Sequence, residues 1–280
     1  MKDIRIVATD LDGTLFRDDK TISNGNLEAL GEAARAGIYI VPTTGRVFKR
    51  LSRELFRIPD LRYIVMTNGS TIIDLKTGEY IYRNYMPIEV CRKTLAALRK
   101  FDFMPEASVD GATKSEARCA TPERLLYYGV PQAYLATVLA SNEPVSSVAE
   151  YLQEGRNVEK LNIFFHDQET RQKAKEILDR MPELKVTSSM PTNLEINAAG
   201  VTKANGLDYL AHTLDLTREN VMALGDGLND VDMIEYAGLG VAMANAIPEV
   251  KAKAAFVTKS NMEDGVGYAV RKFALRTFGT

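Results

Sequence analysis

The sequence has few of the residues that hold small proteins together through covalent or metal cross-links. Only two cysteines, Cys91 and Cys119, occur in 280 residues, so a disulfide framework is excluded. Only two histidines occur, His166 and His212, and no cysteine or histidine cluster has the spacing of zinc ligands. The remaining composition, with 45% apolar and 26% charged residues, is ordinary for a soluble globular protein.

An excess of one charge and long apolar runs are also missing. The net charge of -2 gives no electrostatic footprint for nucleic acid. No apolar run reaches the roughly 18 residues that a membrane span requires. The N-terminal residues lack the apolar core of a signal peptide. We therefore expect a cytoplasmic protein with neither a nucleic-acid nor a membrane partner, and the sequence leaves its oligomeric state open.

The most informative stretch is an apolar run that ends in two carboxylates. Residues 4–8 are mostly β-branched and fit a strand buried on both faces, and Asp10, Asp12 and Gly13 follow. In open α/β sheets, ligands bind at the carboxyl ends of the strands. Carboxylates this close repel each other unless a cation lies between them, and Mg²⁺ prefers such oxygen ligands. This stretch therefore predicts a magnesium site.

Taken alone, the same residues also fit an ordinary polar turn after a strand. An EF-hand calcium loop is excluded, because it needs glycine at its sixth position and glutamate at its twelfth. Counted from Asp10, Gly13 is the fourth residue and Thr21 is the twelfth. The magnesium interpretation therefore needs support from elsewhere in the chain.

Two further apolar runs repeat the pattern of a strand that ends in polar residues. Residues 38–41 lead into Pro42-Thr43-Thr44-Gly45-Arg46, and residues 63–66 lead into Thr67-Asn68-Gly69. Between the strands we predict a helix that Ser23 caps and a second helix over 47–56. Successive β-α units of this kind favour an α/β fold with a doubly wound, mostly parallel, Rossmann-like sheet.

The pattern changes in the middle of the chain and returns near its end. Over 84–190, helices and strands mix without polar groups gathering at the strand ends, which indicates an inserted α+β cap domain. Lys203 then begins a predicted helix, and the apolar run 221–224 ends in Gly225-Asp226-Gly227-Leu228-Asn229-Asp230. We therefore predict a discontinuous core domain formed by 1–83 and 191–280.

The Gly225–Asp230 segment matches no nucleotide-binding motif. It begins like a dinucleotide fingerprint, but Asp230 occupies the third glycine position and would face a pyrophosphate. It also lacks the Gly-Lys-Ser/Thr of a P-loop. A turn with an aspartate helix cap remains an alternative. The other interpretation is a second acidic strand end in the same sheet as Asp10 and Asp12.

Together the strand ends predict a site for a phosphate, a metal and a carboxylate nucleophile. The four aspartates that could supply a divalent cation are Asp10, Asp12, Asp226 and Asp230. Oxyanions would be bound by Thr44, Asn229, nearby backbone amides and the ammonium group of Lys203. The cation would neutralise the phosphate charge so that an anionic nucleophile can approach.

These segments resemble the haloacid dehalogenase superfamily of phosphohydrolases. The residues that carry the resemblance are Asp10-Leu11-Asp12-Gly13-Thr14, Thr44-Gly45-Arg46, Lys203 and Gly225-Asp226-Gly227-Leu228-Asn229-Asp230. Their order, and the large insert between the second and third segments, are similar to the Cof-type branch with its type C2 cap. Thr43 and Ala199 depart from residues that are frequent in the family, at positions that should not touch the chemistry.

The resemblance implies a role for each matching residue. Asp10 would be the nucleophile and form an aspartyl-phosphate, and Asp12 would be the general acid and then the general base. Mg²⁺ would be bound by Asp10, the Asp12 backbone carbonyl and Asp226, with Asp230 close by. The residues that would hold the phosphate are Leu11, Thr44, Gly45, Lys203 and Asn229.

The resulting hypothesis is a Mg²⁺-dependent phosphatase of small phosphorylated metabolites, such as sugar phosphates or phosphorylated cofactors. One alternative is a phosphotransferase or phosphomutase, which would use the same aspartyl-phosphate but protect it from water. A second alternative is a non-enzymatic phospho-acceptor domain of the receiver kind, whose roughly 120 residues fit poorly with a 280-residue chain.

Overall fold

The computed structural model describes residues 3–275 and, within them, every side chain except that of Ala133. Its strands are β1 (Ile6–Thr9), β2 (Tyr39–Pro42), β3 (Tyr63–Met66), β4 (Thr71–Asp74), β5 (Glu79–Arg83), β6 (Met104–Val109), β7 (Ala112–Glu116), β8 (Asn142–Val145), β9 (Val158–Phe164), β10 (Leu184–Thr187), β11 (Asn193–Ala198), β12 (Val221–Gly225), β13 (Leu239–Ala242) and β14 (Phe256–Val257). Its α-helices are α1 (Asn24–Arg35), α2 (Ile88–Leu98), α3 (Pro122–Tyr127), α4 (Leu135–Ser141), α5 (Val148–Tyr151), α6 (Gln168–Leu178), α7 (Lys203–Thr213), α8 (Val231–Tyr236), α9 (Pro248–Lys253) and α10 (Gly265–Phe273).

A five-stranded parallel sheet forms the centre of the first compact unit. Its strand order is β14-β13-β12-β1-β2, so β1 lies between β12 and β2. All four residues of β1 are fully buried, as expected for a strand covered on both faces. Thr9, the last residue of β1, is in register with Leu224 of β12 and Pro42 of β2. The predicted α/β class with a parallel core sheet is confirmed. Because the three strands are in register, the polar segments that follow them begin next to one another at one edge of the sheet.

The third predicted strand is joined to the parallel sheet by a single bridge, and its main pairing is with β4. Strand β3 pairs antiparallel with β4 in a separate sheet of order β3-β4-β5. One parallel bridge, between Thr43 and Val65, links β3 to the chain after β2. The chain reverses direction at Thr67, Asn68 and Gly69, which have φ values of 49°, 60° and 95°. This left-handed turn sends β4 back along β3.

Gly69 allows the close approach of this turn to the start of α7. A Cβ atom at Gly69 would lie 2.0 Å from the carbonyl oxygen of Thr202, and the backbone there has positive φ. We predict that Gly69→Ala lowers the free energy of unfolding by about 2 kcal/mol or more, because both the strain and the clash must be relieved. Urea unfolding of the purified protein measures this change.

Gly78 provides the matched control. It has φ +76°, but a Cβ atom there would meet nothing within 4 Å. Gly78→Ala therefore isolates the cost of the left-handed backbone, about 1 kcal/mol. Equal losses of stability in the two variants would show that the contact between Gly69 and Thr202 contributes nothing.

The helix predicted over 47–56 is replaced by two short 3₁₀ helices, Phe48–Arg50 and Arg53–Arg57. Lys49 forms an ion pair with Glu143 at 2.9 Å, and Arg50 donates a hydrogen bond to the Ser141 hydroxyl. These contacts link the first turn to residues about 90 positions further along the chain. The predicted cap at Ser23 is confirmed, since its hydroxyl accepts from the Asn26 N–H at 3.1 Å.

The second compact unit contains a six-stranded sheet of order β10-β11-β9-β6-β7-β8. One face of this sheet carries apolar residues that form a separate core with residues of α2 and α6. Within this unit, residues 122–141 form two separate helices, α3 and α4. Pro131 disfavours a helical conformation in the residue before it, and Gly129 has φ +75°, so a single helix cannot continue through this segment.

The two units are each discontinuous in sequence. The first comprises 1–45, 51–83 and 202–280, and the second comprises 46–50 and 84–201. The second unit thus includes β11, because β11 pairs with β9 and β10, whereas the sequence assigned 191–201 to the core. Within residues 3–275, no helix combines the length and apolarity required to cross a lipid bilayer.

Candidate active site

The candidate site lies where β1 and β12 end, within the first unit. Asp10 follows β1, and its N–H donates to the carbonyl oxygen of Leu224 in β12 at 3.0 Å. Asp226 follows β12 directly. Because the strands are parallel and adjacent, both carboxylates emerge at the same edge of the sheet. The geometry thus brings together two aspartates that are 216 positions apart in the sequence.

Lys203 joins this pair of strand ends from a third segment. It is the first residue of α7, whose N-terminus is capped by the Thr202 hydroxyl. The Lys203 ammonium donates to Asp10 Oδ1 at 2.5 Å and to Asp230 Oδ1 at 2.6 Å. All three side chains are almost completely buried. The Lys203 ammonium therefore compensates the negative charges of both carboxylates in an environment from which water is largely excluded.

Asp230 also fixes the loop that carries Asp226. Its Oδ2 atom accepts from the backbone N–H groups of Asp226 and Gly227, both at 2.9 Å. The Thr14 hydroxyl donates to Asp226 Oδ1 at 2.8 Å. Each carboxylate oxygen of Asp230 thus has a donor, and the Asp226 carboxylate is oriented from the neighbouring loop.

Three carboxylates converge on one point in this part of the chain. One oxygen atom from each of Asp10, Asp226 and Asp230 lies within 4.8 Å of the others, which defines the acidic triad. Oxygen donors with several negative charges suit a hard divalent cation such as Mg²⁺. The donor set therefore fits the metal that the sequence predicted.

Burial and neighbouring charges change the pKa values of Asp10, Asp226 and Lys203. Burial raises the pKa of Asp10 well above its usual range, although Lys203 opposes the shift. Burial, with the nearby Asp230, raises the pKa of Asp226 to about 7. The carboxylates of Asp10 and Asp230 raise the pKa of Lys203 against the effect of its burial. A cation among these carboxylates would favour their ionised forms.

The predicted phosphate-binding residues are distributed around this edge. Thr44 is buried, its N–H donates to the Val65 carbonyl oxygen at 2.9 Å, and its carbonyl accepts from the Asn68 N–H at 3.1 Å. The Asn229 amide donates to Asn68 Oδ1 at 3.5 Å. These contacts connect the ends of β2, β3 and β12. Gly45 and Leu11 directly follow Thr44 and Asp10 in the same two segments.

Asp12 lies outside the acidic triad and has a partner that the sequence did not indicate. Its Oδ1 atom accepts from the Lys20 ammonium at 2.9 Å, and both side chains are about one-third exposed. The hydrogen bond from the Thr14 hydroxyl to Asp226 was likewise not predicted, because the spacing of motifs does not show which of their residues are in contact.

Comparisons with known proteins find relatives that match nearly the whole chain. The family model of haloacid dehalogenase-like hydrolases matches residues 7–270. The chain is 34% identical over 274 residues to the 5-amino-6-(5-phospho-D-ribitylamino)uracil phosphatase YcsE of Bacillus subtilis, with 98% of this chain and 97% of that protein covered.

Two solved structures show the same likeness. The phosphatase BT1666 of Bacteroides thetaiotaomicron has a TM-score of 0.82 at 28% identity, with 97% of this chain and 96% of that chain covered. The HAD subclass IIB sugar phosphatase BT4131 has a TM-score of 0.80 at 25% identity, with 97% and 99% covered. The family predicted from the sequence motifs is confirmed: this chain belongs to the haloacid dehalogenase-like hydrolases and is a phosphoric monoester hydrolase.

Proposed function

We propose that this phosphatase is Mg²⁺-dependent and hydrolyses small phosphorylated metabolites through an aspartyl-phosphate on Asp10. One observation carries the proposal: Asp10, which follows β1, is in contact with the Lys203 ammonium and lies close to the carboxylates of Asp226 and Asp230. A carboxylate that attacks a phosphate needs positive charge beside it to offset the repulsion between two anions. Lys203 supplies part of that charge, and a divalent cation would supply the rest.

The first chemical step transfers the phosphoryl group to the enzyme. A carboxylate oxygen of Asp10 attacks phosphorus, and the bond from phosphorus to the leaving alcohol oxygen breaks. Asp12, two residues along the same loop, donates a proton to that oxygen, so that the substrate leaves as a neutral alcohol.

The second step returns the enzyme to its starting state. Asp12, now ionised, takes a proton from a water molecule, which attacks the phosphorus of the aspartyl-phosphate. The bond between phosphorus and Asp10 breaks, and inorganic phosphate leaves. The side chains of Thr44, Asn229 and Lys203, with the backbone at Leu11 and Gly45, would hold the phosphate oxygens during both steps.

Mg²⁺ would be held by Asp10, Asp226 and the backbone carbonyl of Asp12, with Asp230 completing the acidic surroundings. When bound, it would supply positive charge that makes the phosphate accessible to an anionic nucleophile. These carboxylates would be held in place before the metal binds by hydrogen bonds from Lys203 to Asp10, from Thr14 to Asp226 and from the backbone N–H of Asp226 to Asp230.

Removal of the metal should abolish turnover. We expect treatment with EDTA to lower phosphatase activity at least about 100-fold, and addition of MgCl₂ to restore it, because the repulsion between Asp10 and the phosphate is otherwise uncompensated. At a Mg²⁺ concentration of about 100 times Kd, binding should also raise the free energy of unfolding by about 2.7 kcal/mol.

The stabilisation of the fold by Mg²⁺ should depend on the acidic triad. Thermal unfolding of Asp226→Asn should no longer respond to Mg²⁺, whereas Asp215→Asn, at an exposed position outside the triad, should respond like the wild type. Full activity in EDTA, or an unchanged Mg²⁺ response in Asp226→Asn, would contradict the assignment.

The substrate class can be tested with a panel of phosphate monoesters. Names of relatives point to phosphorylated polyols and sugars, and 5-amino-6-(5-phospho-D-ribitylamino)uracil is therefore the first candidate, followed by hexose and pentose phosphates. Release of inorganic phosphate with the highest kcat/KM on one of these compounds would support the proposal. Transfer of a ³²P label to a second sugar instead of to water would identify a phosphotransferase.

A further inference from the structure

The ion pair with Asp12 joins Lys20, a residue without a role in the proposed mechanism, to the proposed general acid. Lys20 Nζ is 2.9 Å from Asp12 Oδ1, within hydrogen-bonding distance. A carboxylate is planar, so fixing one of its oxygens also limits the direction of the other. Lys20 is therefore placed to determine how the Asp12 carboxylate is oriented.

The backbone of the loop presents Lys20 in an uncommon conformation. Lys20 has φ +65°, in the left-handed region that residues other than glycine rarely adopt. Its N–H donates to the Arg17 carbonyl oxygen at 2.9 Å, and the Arg17 N–H donates to the Thr21 carbonyl oxygen at 2.9 Å. Asp19 accepts from the N–H and the hydroxyl of Thr21. These bonds close a tight turn that directs Lys20 towards Asp12.

Two asparagines from the C-terminal part of the first unit hold the base of this loop. Asn261 Nδ2 donates to the Phe16 carbonyl oxygen at 3.1 Å and to Asp18 Oδ1 at 3.0 Å. Asn245 Nδ2 donates to the Gly13 carbonyl oxygen at 2.7 Å, and Asn245 Oδ1 accepts from the Asn261 N–H at 3.0 Å. The loop between the nucleophile segment and α1 is thus anchored at three points.

We propose that Lys20 is a positioning residue of this phosphatase, which holds the Asp12 carboxyl group in the orientation that delivers a proton to the leaving alcohol. The inference rests on the proposed role of Asp12. Lys20 itself forms and breaks no bond. Its ammonium binds one oxygen of Asp12 while the proton passes from the carboxyl group to the leaving oxygen, as the phosphorus–oxygen bond breaks.

The exposure of the pair argues against a mainly stabilising role. Lys20 and Asp12 retain 35% and 31% of their side-chain exposure, and ion pairs this accessible contribute little to folding. Replacement of Lys20 should therefore leave the protein folded. Asparagine is the suitable substitute, because it tolerates the left-handed backbone and removes the charge.

The leaving group distinguishes positioning from a structural effect. A sugar alkoxide is a poor leaving group and needs the proton from Asp12, whereas p-nitrophenolate leaves without one. The ratio kcat/KM reports the steps up to the loss of the leaving group. We expect Lys20→Asn to lower kcat/KM about tenfold or more for glucose 6-phosphate, and less than about twofold for p-nitrophenyl phosphate.

Two further variants complete the experiment. Lys20→Arg keeps a cationic donor and should restore glucose 6-phosphate hydrolysis to within about threefold of the wild type. Lys253→Gln removes a lysine–carboxylate pair of similar length, that between Lys253 and Glu235 at 2.8 Å, and should leave both activities unchanged. Circular dichroism and thermal unfolding verify folding, and Lys20→Gln replaces Lys20→Asn in the comparison if the latter is unfolded.

The outcomes separate this inference from the proposed function. Equal losses on both substrates, no loss on either, or no rescue by Lys20→Arg would overturn the positioning role. An active Asp10→Asn variant would instead overturn the proposed function itself. Selective loss on glucose 6-phosphate with rescue by arginine, together with an inactive Asp10→Asn variant, would support both.

Discussion

Replacing Asp10 by asparagine is expected to lower kcat by about 10⁴-fold or more, the scale seen when an enzyme loses its nucleophile. The asparagine amide has nearly the shape of the carboxylate but cannot form the phosphoenzyme. It also lacks the negative charge that Lys203 contacts at 2.5 Å. The measurement is steady-state release of inorganic phosphate from the best substrate in the panel.

The matched control for this variant is Asp60→Asn, at an exposed aspartate with φ +53°. Asparagine tolerates this backbone, and Asp60 lies outside the segments that carry the proposed site residues, so activity should remain at the wild-type level. An Asp10→Asn variant with more than about one-hundredth of wild-type kcat would exclude Asp10 as the nucleophile.

Replacing Lys203 by methionine should lower both activity and stability. The substitution keeps a long apolar side chain but leaves the buried carboxylates of Asp10 and Asp230 without their cation. Breaking a buried pair in this way costs about 3–5 kcal/mol of unfolding free energy. Loss of a positive charge beside the phosphate should lower kcat by about 10²–10³-fold. Urea unfolding and steady-state kinetics measure the two effects.

A double variant separates the two parts of this prediction. In the Lys203→Met background, Asp230→Asn removes one of the two buried carboxylates that have lost their cation. The double variant should therefore recover part of the lost stability but none of the lost activity. Wild-type stability in Lys203→Met would mean that the two ion pairs contribute nothing to folding. Stability that falls further in the double variant would mean that Asp230 acts mainly through the loop N–H groups of Asp226 and Gly227.

The core of the site could be predicted from sequence because its determinants are local. An apolar β-branched run predicts a buried strand, and the carboxylates that follow it must lie at the end of that strand. Asp10 and Asp226 met both conditions, and the register of β1 with β12 brings them together. Lys203 was identified by its place at the start of a predicted helix, and α7 does begin at that residue.

The parts that could not be predicted depend on contacts between distant segments. The antiparallel pairing of β4 with β3 is decided by the left-handed turn at Thr67, Asn68 and Gly69, which composition does not reveal. Strand β11 joins the second unit through its pairing with β9 and β10 rather than through its own sequence. The contact between Lys20 and Asp12 requires a non-glycine residue with positive φ, a conformation that sequence patterns do not predict for lysine.

The most direct test is to trap the phosphoenzyme. The protein is mixed with a ³²P-labelled substrate and Mg²⁺, quenched in acid within one turnover and digested for peptide mapping. A covalent phosphoaspartate on Asp10, formed and lost at the rate of turnover and missing in Asp10→Asn, is the predicted result. Label on a different residue, or release of inorganic phosphate without labelled protein at any quench time, would contradict it.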